Sequence, residues 1–502
     1  MKKTLFSAAF IFCSSLLFAQ NVGIGTTLPA YKLDVSGGSI NTDSLYRIGG
    51  NAVLSVKGTA NTFTGVGSGN FITSGSYNSG FGYRSLYSTT TGMYNTGVGM
   101  EALFSSTNAT GNVALGSSAL YSNTTGSYNA ASGHGALYKN TTGDYNSATG
   151  AFSLYANTTG TSNSAFGTDA LRSNTTGNYN TAMGVHALYS TVSTDRNTAV
   201  GYDALIFNGA YSNTAVGYAS LFANGSGVYN TAVGDGALHD NSSGIANTAM
   251  GMGALYRNVS GSDNVAFGRD AVDNLLSGYG NTGIGSYALR NTTGGDQNTA
   301  IGYYAGWSFA NGYYNTFLGG HADANAPGYY NSVAIGNSST VTAPLQVRVG
   351  ASFITSIGGY QNWTNLSDGR YKKNIKEDVK GLEFIMKLKP VTYNLDTYGL
   401  SEKLNESRGK ETNETIRRAV AEKEKIVYSG FVAQEVEQAA RETGYDFSGV
   451  DKPKNENDLY GLRYAEFVVP LVKAVQEQQQ VIKQQQLQID ELKKIITELQ
   501  KR

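Results

Sequence analysis

From residue 61 to about 340 the hydrophobic and polar positions recur with a period that matches neither one amphipathic helix nor a simple alternating strand. An Asn followed by a small residue stands at 78, 95, 112, 129, 146, 163, 180, 197, 213, 230, 247, 264, 281, 298 and 315. Every step is 17 residues except 197 to 213, which is 16. Asn61 lies one period earlier, and Asn331 opens one more coil. The consensus reads N-T-A-V-G-x-x-A-L-Y-x-N-T-T-G-x-Y. Gly holds the fifth place in all fifteen coils from Gly82 to Gly319. Leu holds the ninth place in twelve, from Leu86 through Leu289, and Val272 substitutes once.

Helical repeats need ~33 residues or more to make a helix pair, so a 17-residue unit excludes them. Gly and Asn at fixed offsets make turns. The short Thr/Ala/Val/Tyr stretches between them suit strands. The pattern predicts a β-solenoid, or β-roll, with two short strands per coil, Gly at the corners and the Leu residues stacked as one apolar column. Identical Asn side chains are expected to ladder along the axis, as in other stacked β structures. Sixteen coils at ~4.8 Å each give a rod of roughly 75 Å. One coil cannot bury its apolar face alone, so the array is cooperative.

The flanks read differently. Residues 21–27 and 32–35 alternate apolar and polar positions, which predicts a strand-rich opening module that caps or attaches the solenoid. After residue 340 the period stops, and residues 346–349 and 352–357 alternate as strands. A helix is expected through Val379, Leu382, Phe384, Ile385 and Leu388, ended by Pro390. A strand follows over 391–395, then a Lys/Glu-rich exposed insertion over 396–427, then a helix over 431–440. Residues 470–500 carry heptads: Val475, Ile482, Ile489 and Ile496 in one position, Leu471, Gln478, Gln485, Leu492 and Leu499 in the other. Ile at a with Leu at d favours two strands in a parallel coil, although polar Gln layers weaken that rule.

Charge marks a boundary inside the chain. Lys+Arg and Asp+Glu are 37 each among 502 residues, so the net charge is zero. That argues against broad electrostatic capture of nucleic acid or anionic membrane. Residues 367–502 hold 47 of the 74 charged side chains, whereas 55 of the 63 glycines precede residue 367. Two kinds of protein therefore meet near Ser367. The single cysteine, Cys13, excludes a disulfide framework and a Cys-based metal site. His134, His186, His239 and His321 occupy the sixth, seventh, tenth and seventh coil places, so they do not stack into a metal column. The acidic residues of the coils form no pair spaced for glycoside hydrolysis. The Tyr series that includes Tyr128, Tyr145, Tyr179 and Tyr229 is expected to pack between coils, with sugar stacking as the alternative. No cofactor or metal is called for.

Lys2 and Lys3 followed by the apolar run 5–18 and Ala19 have the form of a signal peptide, with Cys13 in its discarded core. No later stretch reaches ~18 apolar residues, so no transmembrane anchor is expected. The chain reads as secreted or displayed at the cell surface. Its parts are a signal peptide (1–19), a β-rich module (20–60), the solenoid (61–340), a β-rich linker (341–366), a small α+β domain (367–469) and a coiled coil (470–502).

Two resemblances extend this reading. Residues 331–336, Asn-Ser-Val-Ala-Ile-Gly, with the looser Asn-Thr-Ala-Val-Gly at 197–201 and 230–234, are similar to the head repeats of trimeric autotransporter adhesins. That similarity implies a homotrimer of parallel β-rolls presenting a surface to a cell-surface glycan or host receptor; the 17-residue period is longer than is usual there. Further on, Ser367-Asp368-Gly369-Arg370-Tyr371-Lys372-Lys373-Asn374-Ile375, the segment Gly430-Phe-Val-Ala-Gln-Glu-Val436, and Tyr464 with Pro470, Leu471 and Ala474 form three blocks in order. They resemble the C-terminal intramolecular chaperone domain of phage endosialidase tail spikes and related fibres, a self-cleaving serine peptidase family. The resemblance implies a trimerisation chaperone, with Ser367 as nucleophile, Lys372 as general base and Leu366–Ser367 as the cut bond. Lys373 is off the family spacing. Asp368 and Arg370 are supporting residues: Arg370 either lowers the Lys372 pKa or pairs with Asp368. The rival readings are a structural adhesin that keeps its C-terminal domain and a polysaccharide-degrading fibre. Ser367 as the N-cap of a polar turn is the plain structural alternative.

Overall fold

Parallel pairing between successive copies of Asn-Thr-Ala-Val builds most of this protein. The computed structural model describes residues 22–24, 33–35, 45–361, 363–406 and 414–501. The segment read as a signal peptide lies outside the described residues, and so does Cys13.

Three-residue strands stack from Thr62–Thr64 and Ser79–Phe81 through to Val333–Ile335 and Val347–Val349. They pair in parallel, each residue with the one 17 further on, as Ala148 with Ala165. The step from Thr198 to Thr214 is 16, and the last, from Val333 to Val347, is 14. The ladder thus makes 17 steps, about 80 Å at ~4.8 Å each, and residues 347–349 belong to it rather than to a separate strand pair. The ladder is open. At its start, the hairpin Leu45–Ile48 and Asn51–Ser55 lies antiparallel on Thr62–Thr64 and closes that end. Val22–Ile24 pairs in parallel with Leu33–Val35.

Each strand turns its middle residue inward, as Ala148, Ala165 and Ala182, all fully buried. The Gly corners from Gly82 to Gly319 have φ of 125–142°, and a Cβ at any of them would come within 2.3–2.7 Å of the next coil's backbone. No other residue fits there. The Asn at the first place is buried and bonded twice along the axis. Asn163 Oδ1 accepts the Asn180 backbone N–H at 3.0 Å, and its Nδ2 donates to the Gly177 carbonyl at 2.8 Å. A second ladder runs through Asn123, Asn140, Asn157 and Asn174, each Nδ2 donating to the preceding Oδ1 at 2.7–2.8 Å.

The expected second strand of each coil is mostly absent. Two-residue pairing occurs on that side only at Phe207–Asn208 with Ala223–Asn224 and at Asp323–Ala324 with Thr340–Val341, among the described residues. The reason is the Leu column itself. Every column Leu is fully buried, and its backbone is left-handed with φ of 48–54°. That conformation costs an L-residue on the order of 1–2 kcal/mol, against ~1.5–3 kcal/mol from burying the side chain. Such a backbone cannot continue a strand, yet it still bonds to the next coil: the Leu86 N–H donates to the Ala102 carbonyl at 2.9 Å.

The C-terminal region changes architecture. Helix α1 (Leu382–Ile385) has four residues where a longer helix was expected, because Gly381 precedes it and Glu477 of the last helix accepts the Leu382 N–H at 2.7 Å. Strands Val391–Asn394 and Val427–Gly430 pair antiparallel. Between them lie α2 (Thr397–Lys403) and α3 (Glu414–Glu424). This span is not simply an exposed insertion, since Thr397, Leu404 and Glu406 are buried. Residues 352–357, expected as a strand, are irregular. Helix α4 (Ala433–Glu442) turns Val436, Ala439 and Ala440 into a small core with Phe384, Phe447 and Phe467. Helix α5 (Val468–Leu499) packs on this core only at its start, through Pro470 and Ala474. From residue 478 onward it is exposed throughout. Among the described residues, no helix is long and apolar enough to cross a membrane.

Candidate functional site

The motif that begins at Ser367 sits in an open segment. Residues 354–361 and 363–378 are all exposed, and Leu366 is fully so. Local hydrogen bonding shapes it. Asp368 caps a 3-10 turn, Gly369–Tyr371, by accepting the Arg370 backbone N–H at 2.9 Å. The Arg370 guanidinium folds back on the same carboxylate at 3.1, 3.0 and 2.6 Å. This pairing holds the Asp368 carboxyl below its ordinary range and raises the Arg370 pKa. Of the two roles open to Arg370, pairing with Asp368 is the one the geometry displays.

The turn carries the chain back on itself, and the Lys372 N–H closes it on the Gly369 carbonyl at 3.1 Å. Lys372 Nζ then donates to Ser367 Oγ at 2.7 Å. A Ser hydroxyl needs a base within hydrogen-bond reach to become a nucleophile. An amine acts as that base only when its surroundings disfavour the ammonium form, through burial or nearby positive charge. Reach is present in the single chain; cover over the pair is not.

The other candidates from the sequence are dispersed. His186 Nδ1 is 3.0 Å from Asp203, His239 Nδ1 is 2.6 Å from Asp240, and the His321 ring stacks on Tyr304. His134 meets Phe152 edge-on. Among the described residues, no group of three or more His, Cys, Asp or Glu side chains is placed to hold a metal. Tyr128, Tyr145, Tyr179 and Tyr229 pack between coils only in part. They are 55–62% exposed, and within the group Tyr128 and Tyr145 stack face to face at 5.2 Å. Another column, Tyr87, Phe104, Tyr121, Tyr138 and Tyr155, is half-buried and continuous at 5.0–5.2 Å. Its ring faces cover one another.

Sequence reasoning missed a second constellation, where the end of the solenoid meets the C-terminal region. Glu406, buried, accepts the Ser352 backbone N–H at 2.9 Å and also its hydroxyl. Thr342 Oγ1 donates to Asp458 at 2.5 Å. These partners are 54 and 116 residues apart and follow no repeat.

Residues 367–445 match the family model described as chaperone of endosialidase, a peptidase family of self-cleaving chaperone domains. The match begins at Ser367. No curated protein matches the chain. The block at 464–474 lies beyond the matched residues, yet it packs against the second block. The rings of Phe431 and Phe467 stack at 5.4 Å, and Tyr464 Oη accepts the Phe431 N–H at 3.2 Å. An intramolecular chaperone domain thus follows a fibrous β-solenoid, the architecture of a tail-fibre-like protein.

Proposed function

We propose that this protein is an exported homotrimeric fibre, of the tail-fibre or adhesin kind, whose C-terminal domain aligns three chains and then severs the Leu366–Ser367 bond. The observation that carries the reading is the 2.7 Å contact of Lys372 with Ser367 at the first residue of the matched domain. The neutral Lys372 amine takes the Ser367 hydroxyl proton, and Oγ attacks the Leu366 carbonyl carbon. The C–N bond breaks, the Ser367 nitrogen leaves as an amine, and water opens the resulting ester to free the Leu366 carboxylate. Each chain does this once. Since the pair is exposed in one chain, the competent state is the assembled one, in which neighbouring copies exclude water from it.

Two apolar surfaces favour self-association. The third residue of the shaft strands forms an exposed or half-exposed stripe that is apolar in 15 of 17 coils from Phe81 to Val349, interrupted only by Ser132 and Thr149. On α5 the heptad positions Val475, Ile482, Ile489 and Ile496 are 46–64% exposed. A helix that leaves its core at residue 478 needs partners to persist in water. Three-fold assembly also answers a folding problem. Near-identical coils offer nearly degenerate registers, and a C-terminal nucleus fixes one of them. A cut made afterwards removes the route back. The exposed shaft surface is then the part that meets a cell-surface glycan or receptor.

The test is intact-mass analysis of the protein expressed without residues 1–19. The expected products are one fragment ending at Leu366 and one of 136 residues beginning at Ser367. Ser367→Ala and Lys372→Ala should remain full-length and still trimerise, while Lys373→Ala cuts normally. A cut at another bond, or a normal cut in Ser367→Ala, removes the dyad assignment.

A further inference from the structure

The Leu366–Ser367 bond is not what seats the C-terminal domain on the shaft. The contacts between them join shaft residues upstream of that bond to domain residues downstream of it. Glu406 holds Ser352, as described above. Asp458 accepts from Thr342 Oγ1, and Asn455 Nδ2 donates to the Thr342 carbonyl at 2.9 Å. Lys423 Nζ donates to the Ile354 carbonyl at 2.5 Å. The connecting segment crosses this region without any buried residue between 354 and 378 among those described.

Chemistry at the end of the solenoid explains why it needs such a partner. The column of buried Leu stops at Leu289, and in the final coil the buried positions mix Ser339, Thr340 and Thr342 with Val341 and Ala343. Ser339 and Thr340 bond to shaft carbonyls, whereas the Thr342 hydroxyl and carbonyl also take partners from the domain. The domain brings two carboxylates, and the last shaft strand brings Arg348. That guanidinium is largely desolvated, and the Asp458 and Glu406 charges both act on it. Burial raises the Glu406 pKa, while hydrogen bonds from Ser352 and the Arg348 charge oppose the rise. Solenoid ends require caps. The hairpin at 45–55 caps one end, and the domain sits on the other.

We propose that the domain is the cap of the last coil and stays seated after Leu366–Ser367 is cut, so that the fragment from Ser367 onward is a non-covalent partner of the shaft end. This rests on the cleavage reading above for its biological occasion, but not for its contacts. Before the cut, the exposed tether supplies an effective concentration on the order of millimolar. After it, three junctions tied together by α5 in a trimer supply avidity in its place. On this view cleavage ends the chaperone's covalent hold on the fold without stripping the fibre's end.

The test uses the full chain without residues 1–19, in two forms. One is the wild type after self-cleavage. The other is Ser367→Ala with a site-specific protease sequence substituted across the exposed residues 356–361, cut by that protease. The expected result in both is co-elution of the two fragments on native size exclusion at micromolar concentration. Glu406→Ala/Asp458→Ala should weaken retention by more than about tenfold, since it removes the acceptors of the Ser352 N–H and the Thr342 hydroxyl. Arg348→Gln on the shaft side, which among the described residues makes no ion pair with either carboxylate, should weaken it less. Separate elution of the cut but otherwise unaltered protein overturns the proposal, and so does undiminished co-elution of both variants. If self-cleavage fails while the protease-cut form co-elutes, the cleavage reading falls and the seated cap stands.

Discussion

The shaft and the domain that follows it bury their residues by opposite means. In the shaft every coil meets the next through the same few contacts, and Leu, Ala and Asn are fully buried coil after coil. The domain has one small core around Phe384, two short sheets and a helix that leaves its partners halfway. A repeat array is stable by nearest-neighbour addition and indifferent to which coil sits where. The domain is not periodic, and its last helix is exposed from residue 478 onward. The contrast teaches a division of labour on the proposed reading: the periodic part holds its shape once formed, and the aperiodic part would supply the unique alignment that a periodic part lacks.

The largest expected effect breaks that division. Deleting residues 478–502 removes the outer two thirds of α5, which are exposed throughout. Light scattering should then find monomer or aggregate in place of trimer; a soluble, trimeric shaft from this truncation would refute the chaperone role. Next comes Gly201→Ala, where φ is 141° and a Cβ would lie 2.3 Å from the Gly217 carbonyl oxygen. Strain and overpacking together should cost on the order of 2–5 kcal/mol, read as a lowered thermal midpoint of the shaft. Gly358→Ala, beyond the last coil with nothing within 4 Å of its Cβ, should leave that midpoint unchanged.

A smaller loss sharpens the role of the Asn ladder. Asn163→Ala strands the Asn180 N–H, for about 1–3 kcal/mol, while the Gly177 carbonyl keeps the Asn174 Nδ2 donor at 3.1 Å. Asn163→Asp should lose more than Asn163→Ala, because it buries a carboxylate whose second oxygen faces the Gly177 carbonyl and Asn146 Oδ1, both acceptors. Thermal unfolding of the three proteins checks this order. The smallest effect lies in the domain. The Asp368–Arg370 pair depresses the carboxyl pKa below its ordinary 3.8. The pair is therefore intact above the carboxylate range and lost only as pH falls through that lowered value. Carbon-detected titration of Asp368 should report a midpoint below 3.8, with no change in the fold, since the residue is exposed.

The solenoid, its Gly corners, its Leu column and its Asn ladder were legible in the chain because each contact repeats at i and i+17 and so prints a period. Ser367 and Lys372 were singled out through the motif resemblance to the endosialidase chaperone family, and their contact is local. They lie five residues apart in one motif, and a local turn suffices to bring them into contact. The left-handed Leu backbone was not legible, since a favourable burial overrides a local preference that sequence propensities alone report. Nor was the coil at 347–349, whose 14-residue step breaks the period and puts Gln346 where most of the others have Asn, although Gly350 keeps the corner. The shortening of α1 depended on Glu477, 95 residues away.

What the sequence determined by itself is therefore everything that recurs or is local: the period, the strand that pairs with its own copy, the corner that admits only Gly, and the Ser–Lys spacing. What only the tertiary structure decided is what happens once. Glu406 on Ser352 and Asp458 on Thr342 are single contacts between distant, unlike segments. No pattern along the chain encodes them, because the carboxylate finds its partner through the shape of two finished surfaces and not through spacing along the backbone.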